Sequence, residues 1–198
     1  MTEVEAILLA AGTGSRFGGG KLLAPYGDGL LIEAALTTAL AAPVRSVTVA
    51  IGADNVRVAA VVRACAERLG ATDRLRIVEA KDYAEGMGAS LRTAAAALPA
   101  DTKSVFVLLG DMPRIPASIF QPLIDAVEAG APAAAASFQD QRGHPALIGQ
   151  DLIPGLLTLK GDSGARAVLK ALGDRLVQVE ALDDGVLFDV DERKDLTP

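Results

Sequence analysis

The sequence predicts an α/β fold in which a doubly wound, mostly parallel β-sheet forms a single domain over residues 1–198. Short apolar runs alternate with Ala- and Leu-rich helical segments four times along the first two thirds of the chain. This pattern is typical of a parallel sheet with right-handed crossovers. The runs are apolar nearly throughout, as in strands that are buried on both faces. A length of 198 residues suits one sizeable domain and is short for two.

Four strand–helix pairs account for the first part of the chain. The strands are expected at 4–10, 46–51, 76–79 and 104–109. The helices are expected at 30–41, 55–69, 89–98 and 116–129. Pro43, Gly70 and Pro99 end the first three helices, because proline cannot continue a helix and glycine favours the position after its last turn.

The last third of the chain is less regular. Its predicted strands lie at 133–138, 176–179 and 186–190. Its helical segments lie at 152–159 and 163–172. We find no linker and no repeat of fixed period, so one domain is the simplest interpretation.

Composition excludes several classes of function. The formal net charge of −6 disfavours a nucleic-acid binder, which is normally basic. The apolar run at 6–11 is far shorter than the roughly 20 residues of a membrane span. The first residues are acidic where a signal peptide is basic, and the only cysteine, Cys65, can form no internal disulfide. We therefore expect a cytoplasmic protein that binds neither nucleic acid nor membrane.

The glycine-rich loop at 12–20 is the most informative stretch. It has five glycines in nine residues and carries Arg16, with Lys21 immediately after it. A glycine-rich loop at the carboxyl end of a strand can turn backbone N–H groups toward phosphate oxygens. The dinucleotide fingerprint fails because Phe17 stands at its third glycine, and a Walker loop fails because Ser15 and Leu22 flank the lysine incorrectly. A flexible turn with solvated cations is the alternative.

Two acidic segments are candidates for metal binding. Asp111 directly follows the strand at 104–109, next to the phosphate loop. Magnesium prefers oxygen ligands and usually takes one or two carboxylates plus phosphate and water; alternatively, Asp111 only caps a turn. If 186–190 is a strand, Asp189 and Asp191 point to the same face.

Three further motifs suggest ligand contacts. The stretch 85–92 can present a helix N-terminus to a base or phosphate, or it is a simple helix start with a structural Ser90. His144, the only histidine, is either a pocket residue or a packing residue. Arg166 could clamp a phosphate, with Asp162 or Ser163 capping its helix, or it is an exposed arginine on an ordinary helix.

Taken together and in order, these blocks resemble the molybdenum cofactor cytidylyltransferases and their relatives, the molybdopterin-type nucleotidyltransferases. The matching patterns are L-A-A-G-x-G-x-R-x-G-x-x-K (9–21), G-M-x-x-S-L (86–91), G-D-M-P (110–113), R-G-H-P (142–145), G-D-x-G-A-R (161–166) and D-V-D-x-x-x-D-L (189–196). The chain departs from the family at Glu192-Arg193, where Thr-Pro is common, which weakens the capping of the terminal helix.

The resemblance implies a Rossmann-like sheet of the nucleotidyltransferase type and a role for each matching residue. Arg16 and Lys21 would stabilise the departing pyrophosphate, and Asp111 with Asp191 would hold Mg²⁺. His144, Asp162 and Arg166 would bind the acceptor, and Asp189 has either a direct or a supporting role. The implied nucleotide-binding residues are Leu9, Ala10, Ala11, Gly12, Gly14, Arg16, Lys21, Gly86, Ser90 and Asp111.

The implied reaction transfers CMP from CTP to the phosphate of molybdopterin, with or without molybdenum, and releases pyrophosphate. The choice of CTP rests on Leu9-Ala10-Ala11-Gly12, where the guanylyltransferases typically have L-A-G-G. Transient contact with a molybdenum hydroxylase is also implied. The alternatives are GTP as donor, another phosphorylated acceptor, or a non-catalytic carrier of the nucleotide-bound cofactor.

Overall fold

The computed structural model describes residues 3–196, apart from the side chain of Arg16. In chain order, the strands and helices are β1 (Val4–Ala10), β2 (Pro25–Tyr26), β3 (Gly29–Leu30), α1 (Leu31–Ala41), β4 (Val47–Ile51), α2 (Asn55–Arg68), β5 (Leu75–Glu79), α3 (Met87–Ala95), β6 (Ser104–Leu109), α4 (Phe120–Glu128), β7 (Ala133–Phe138), β8 (Gln141–Gly149), α5 (Ile153–Leu156), α6 (Gly164–Lys170) and β9 (Leu176–Glu180). Short 3-10 turns occupy several of the connections.

Seven strands form the main sheet in the order β5-β4-β1-β6-β8-β7-β9. The pairs β5–β4, β4–β1, β1–β6 and β7–β9 are parallel, whereas β8 runs antiparallel to β6 and β7. Strands β2 and β3 form a separate small hairpin. The predicted mostly parallel α/β fold is confirmed, and β1 and β6 sit side by side at its centre.

Helices cover both faces of the sheet at its central strands, which explains why β1 and β6 are mostly apolar. In β1, Ala6 and Leu8 contact the apolar cluster that includes residues of α1, α2 and α4. Ile7 and Leu9 point the other way, into the cluster that includes residues of α3, α5 and α6. Successive side chains of a strand face opposite sides, so a strand covered by helices on both faces has few polar positions. The one in β1, Glu5, is fully buried and accepts hydrogen bonds from Arg45 and Ser46.

Strand β8 was not predicted, although it lies in the middle of the sheet. It contains Gly143 and Pro145, residue types that are depleted in strands. The hairpin turn before it places Gln139 and Asp140 at φ 50° and 63°, and two-residue hairpin turns with this conformation usually carry glycine or asparagine. Neither the strand nor its turn therefore has the usual signature in sequence.

The predicted strand at 186–190 is wrong. The structure has a 3-10 turn at Asp184–Val186 and then an irregular stretch outside the sheet. Val190 is fully buried against Phe17, Ala24 and Leu31, so its apolar character reflects packing of this segment onto the body of the protein. The inference that Asp189 and Asp191 share one face of a strand loses its basis.

No helix in the described range 3–196 combines the length and the apolar character that crossing a membrane requires.

Candidate active site

The glycine-rich loop begins at the carboxyl end of β1 and folds back on itself. A 3-10 turn at Ser15–Phe17 is flanked by Gly14 (φ 60°) and Gly18 (φ 89°). The N–H of Gly19 donates to the carbonyl of Gly14 at 3.1 Å. A Cβ at position 14 would lie 2.9 Å from the Cβ of Lys21, so glycine at 14 lets the lysine pack directly against the loop.

Lys21 lies between two carboxylates that are far away in sequence. Its Nζ is 2.6 Å from Oδ2 of Asp111 and 3.7 Å from Oδ1 of Asp191. The lysine side chain is 12% exposed, that of Asp111 23% and that of Asp191 43%. The structure therefore brings together three of the four residues with predicted catalytic roles, and both carboxylates converge on one cationic group.

The sheet and the C-terminal segment place these carboxylates. Strand β6 lies beside β1 with Leu109 opposite Leu9, and Gly110 donates to the carbonyl of Leu9 at 2.9 Å. Asp111 therefore leaves the sheet next to the glycine-rich loop. The N–H of Val190 donates to the backbone carbonyl of Asp111 at 3.0 Å, which holds the segment carrying Asp191 against the same site.

A third carboxylate, that of Asp189, contributes to the same electrostatic field. Desolvation raises the pKa of Asp189, the nearby Asp191 and Asp111 raise it further, and Lys21 partly opposes these effects. Asp189 is thus close enough to both neighbours to interact with their charges, although its own side chain is exposed. Three carboxylates facing one lysine favour the arrival of additional positive charge.

Asp111 and Asp191 fit the requirements of Mg²⁺. Both carboxylates already lie within 4 Å of one cationic atom, the lysine Nζ, so both could supply oxygen ligands to a small cation. Within residues 3–196, no group of three or more histidine, cysteine or acidic side chains is arranged to hold a metal by itself. Such a site suits magnesium, which commonly takes one or two carboxylates and fills its other positions with phosphate and water.

A cavity of about 360 Å³ lies over the glycine-rich loop. Nine of the ten residues with a predicted nucleotide-binding role line it: Leu9, Ala10, Ala11, Gly12, Gly14, Lys21, Gly86, Ser90 and Asp111. The tenth is Arg16, whose side chain lies outside the described part of the structure. Thr13, Tyr83 and Met87 also line this cavity, which we call the first cavity, and were not predicted.

A second cavity, of about 710 Å³, adjoins the first. It is lined by the three residues predicted to bind an acceptor, His144, Asp162 and Arg166, and also by Asp189. Met87, Leu109 and Asp162 line both cavities. Molecules bound in the two cavities would therefore meet across this shared wall, beside Asp111.

The shared wall depends on close packing between α3 and the loop before α6. Gly88 donates to the carbonyl of Gly161 at 2.7 Å, and Arg92 donates through Nη1 to that of Leu159 at 2.6 Å. A Cβ at Gly86 would lie only 2.4 Å from Oδ1 of Asp162, so this glycine allows the loop to come close. Asp162 consequently borders both cavities. Ser163 occupies the cap position of α6 but makes no side-chain cap bond, so the predicted capping role is wrong for Ser163.

His144 lies on β8 with its imidazole half-buried in the wall of the second cavity. Its Nδ1 atom is buried and has no hydrogen-bond partner among the described residues. Burial lowers the pKa of His144, the backbone of Val107 and the charge of Asp111 oppose this, and Arg142 lowers the pKa further. The lowered pKa favours the neutral form of the ring, whose buried Nδ1 lies beside the cavity without a partner among the described residues.

We expect the imidazole of His144 to titrate below pH 6.5 in the folded protein. Because it is the only histidine, its ¹H NMR resonances can be followed without ambiguity. The lowered pKa means that the unfolded chain binds this proton more tightly, so the free energy of unfolding should decrease as the pH falls below about 6.5. His144→Gln should remove that part of the pH dependence. A titration midpoint at or above 6.5 would contradict the expected lowering of this pKa.

Tyr83 is the main residue of the first cavity that sequence reasoning missed. It stands just before the stretch 85–92 that was recognised, and an aromatic residue is conspicuous in a chain with only 4% aromatics. That scarcity is the one signal in the sequence that could have drawn attention to it.

Several known proteins resemble the chain. The family described as the MobA-like NTP transferase domain matches residues 6–177. The molybdenum cofactor cytidylyltransferase of Escherichia coli (strain K12) is 25% identical over 195 residues, which cover 98% of this chain and 94% of that protein. The Mycobacterium sp. strain JC1 homologue of Mycobacterium tuberculosis Rv0371c is 29% identical, with a TM-score of 0.84 over 98% of this chain and 92% of its own. A nucleotidyl transferase from Methanothermobacter, 23% identical, has the same fold, with a TM-score of 0.77 over 97% of this chain and 93% of its own.

Proposed function

Because the chain belongs to the MobA-like NTP transferase family, we propose that it transfers CMP from CTP to the phosphate of molybdopterin and releases pyrophosphate. The observation that carries this proposal is the pair of adjoining cavities with Lys21, Asp111 and Asp191 beside their shared wall. A nucleotidyltransferase must bring a nucleoside triphosphate and a phosphorylated acceptor together at one reacting phosphorus. Two cavities that share Met87, Leu109 and Asp162 meet that requirement.

In the proposed reaction, an oxygen of the acceptor phosphate attacks the α-phosphorus of CTP in line. A bond forms between that oxygen and the α-phosphorus, and the bond from the α-phosphorus to the bridging oxygen of pyrophosphate breaks. The acceptor phosphate is already anionic and needs no strong base. Positioning and charge neutralisation therefore supply most of the catalysis.

The glycine-rich loop and Lys21 would act on the leaving group. Backbone N–H groups between Gly12 and Gly20 can donate to the β- and γ-phosphates, as in other loops that bind phosphate. The ammonium of Lys21 is nearly buried, and a charge in such surroundings acts more strongly than one in water. Arg16 takes a similar role in the proposal because it belongs to the same loop.

Asp111 and Asp191 would hold Mg²⁺, which neutralises phosphate charge when bound. The acceptor would lie in the second cavity. There Nδ1 of the neutral His144 can form one hydrogen bond with the acceptor. Arg166 can contact an anionic group of the acceptor.

The donor base and the acceptor are supported by similarity. The sequence Leu9-Ala10-Ala11-Gly12 lines the first cavity and matches the cytidylyltransferase pattern. The E. coli relative named a molybdenum cofactor cytidylyltransferase aligns over 98% of the chain. The sequence pattern supports CTP as the donor, and the name of the relative supports both a cytidylyl donor and the molybdenum cofactor as acceptor.

We expect pyrophosphate release from CTP, and not from GTP, ATP or UTP, when each is supplied with Mg²⁺ and molybdenum-loaded molybdopterin. Omitting the acceptor should abolish release, because the attacking group is then missing. Release with GTP alone would keep the chemistry and overturn the choice of base. If folded protein with intact pterin releases no pyrophosphate from any of the four nucleotides, the proposed function is contradicted.

A further inference from the structure

The first cavity spans several neighbouring strands of the sheet. Asp111 follows β6, the glycine-rich loop follows β1, and Gly52 follows β4, and these strands are adjacent in the order β4-β1-β6. Adjacent strands are about 4.8 Å apart, so the carboxyl ends of β4 and β6 lie roughly 10 Å from each other. Lys21 and Asp111 therefore mark one side of the cavity, and the residues near Gly52 mark the other.

Tyr83 occupies the side of the cavity near β4 and lies directly against the backbone of Gly52. A Cβ at position 52 would be 2.6 Å from Cγ and 2.7 Å from Cβ of Tyr83. Only glycine at 52 lets the tyrosine come this close. Three backbone hydrogen bonds of 2.8 to 3.1 Å order this part of the chain. The N–H of Ala80 donates to the carbonyl of Ile51, that of Tyr83 to Ala80, and that of Gly86 to Tyr83. The turn that carries Tyr83 is therefore ordered, and the tyrosine packs against the backbone of Gly52.

The surroundings of Tyr83 suit a flat heterocycle better than a phosphate. Among the described residues that line the first cavity, Tyr83 is the sole aromatic one, and its neighbours there include Ala84 and Met87. Lys21 and the carboxylate of Asp111 lie toward β6, whereas the carboxylate of Asp162 lies beside Gly86. A nucleotide whose phosphates contact the glycine-rich loop can then direct its base toward Tyr83. Stacking of a base on an aromatic ring contributes substantially to binding and is tolerant of which base is present.

We propose that Tyr83, seated on Gly52, is the platform on which the nucleobase of the bound triphosphate stacks. This inference rests on the proposed function, since it requires a nucleotide in the first cavity. The platform supplies affinity and not base choice, because every base has an aromatic face. Variants of Tyr83 should consequently weaken the binding of CTP and of the other nucleotides by similar factors and leave their order of preference unchanged.

The composition of the chain provides a direct optical test. The chain has no tryptophan and two tyrosines, Tyr26 and Tyr83. Tyr26 does not line either cavity and accepts a hydrogen bond from Nε of Arg114 at 3.2 Å. In the variant Tyr26→Phe, all tyrosine emission comes from Tyr83. We expect CTP with Mg²⁺ to quench this emission, whereas tripolyphosphate with Mg²⁺, which has no base, should not. The variant Tyr83→Phe, titrated in the same way, measures light absorption by CTP itself.

Binding measurements by calorimetry separate a stacking role from a structural one. Tyr83→Leu keeps apolar packing over Gly52 but has no aromatic face, and it should bind CTP about 10- to 100-fold more weakly. Tyr83→Phe keeps the ring and should bind within about 2-fold of the wild type. Both variants should bind tripolyphosphate as the wild type does.

Each other outcome would overturn the platform. The stacking role of Tyr83 is contradicted if its emission is unchanged at CTP concentrations that saturate pyrophosphate release. It is also contradicted if Tyr83→Leu binds CTP as tightly as the wild type. Equal loss of CTP and tripolyphosphate affinity would make Tyr83 a structural residue only. In these three cases wild-type pyrophosphate release persists and the proposed function stands. A wild-type protein that neither binds CTP nor releases pyrophosphate fails the proposed function itself.

Discussion

Replacing Asp111 with asparagine is expected to lower kcat for pyrophosphate release by about 10³-fold or more. Asparagine keeps the size of the side chain but removes the negative charge that faces Lys21 at 2.6 Å. A weakened metal site would lose several kcal/mol of charge stabilisation in the transition state, and about 4 kcal/mol corresponds to a factor of about 10³. The loss should appear in kcat at saturating CTP.

The Asp111→Asn variant should remain folded. Its side chain is partly exposed, and the hydrogen bond from Val190 goes to the backbone carbonyl of Asp111, which the substitution leaves in place. A matched control is Asp125→Asn, on the exposed surface of α4, where the carboxylate accepts a hydrogen bond from Gln121. The control should turn over normally. A kcat near the wild-type value for Asp111→Asn, with an unchanged melting temperature, would contradict the assignment of Asp111 to the metal site.

Replacing Lys21 with methionine should lower kcat by about 10²- to 10³-fold, the usual cost of removing one group that stabilises developing charge. Methionine preserves much of the apolar stem, which packs against Gly14, and removes the ammonium. We expect a smaller change in KM for CTP than in kcat, because the charge on the leaving group grows during the reaction.

The dependence on Mg²⁺ distinguishes two roles for Lys21. If the lysine only neutralises Asp111 and Asp191, additional Mg²⁺ should replace it and restore turnover of Lys21→Met. If it acts on the leaving pyrophosphate, saturating Mg²⁺ should leave most of the defect in place, which is the expected result. Lys103→Met, an exposed lysine just before β6, is the matched control and should behave as the wild type. Full recovery with Mg²⁺ would contradict a direct role for Lys21.

The parts of the fold that sequence reasoning predicted are those in which local pattern and tertiary environment agree. Strand β1 was predicted at its observed bounds, because helices cover both of its faces and every position except Glu5 is apolar. Asp111 was recognised because it follows a central strand, and such strands end at one edge of the sheet. Lys21 was recognised because the glycine-rich loop is local in sequence.

The errors occur where long-range packing decides the structure. Strand β8 contains Gly143, where a Cβ would lie 2.0 Å from the carbonyl oxygen of Val186. Glycine is needed there because the C-terminal segment crosses the strand at this point. In the same segment Val186 and Val190 are fully buried although no strand forms there, so their apolar character misled the prediction. Tyr83 was missed because its importance depends on Gly52, which lies 31 positions earlier in the chain (83 − 52), and no local pattern joins the two.

A nucleoside monophosphate joined to a phosphorylated pterin is the product that the proposed function requires, so the product itself should be identified. The purified protein would be incubated with Mg²⁺, CTP and molybdopterin, and the mixture analysed by mass spectrometry and ³¹P NMR. We predict a product in which CMP and the pterin are linked through a new diphosphate bridge, formed together with one pyrophosphate per molecule. Pyrophosphate or CMP without the bridged product, or unchanged substrates from folded protein, would contradict the proposed function.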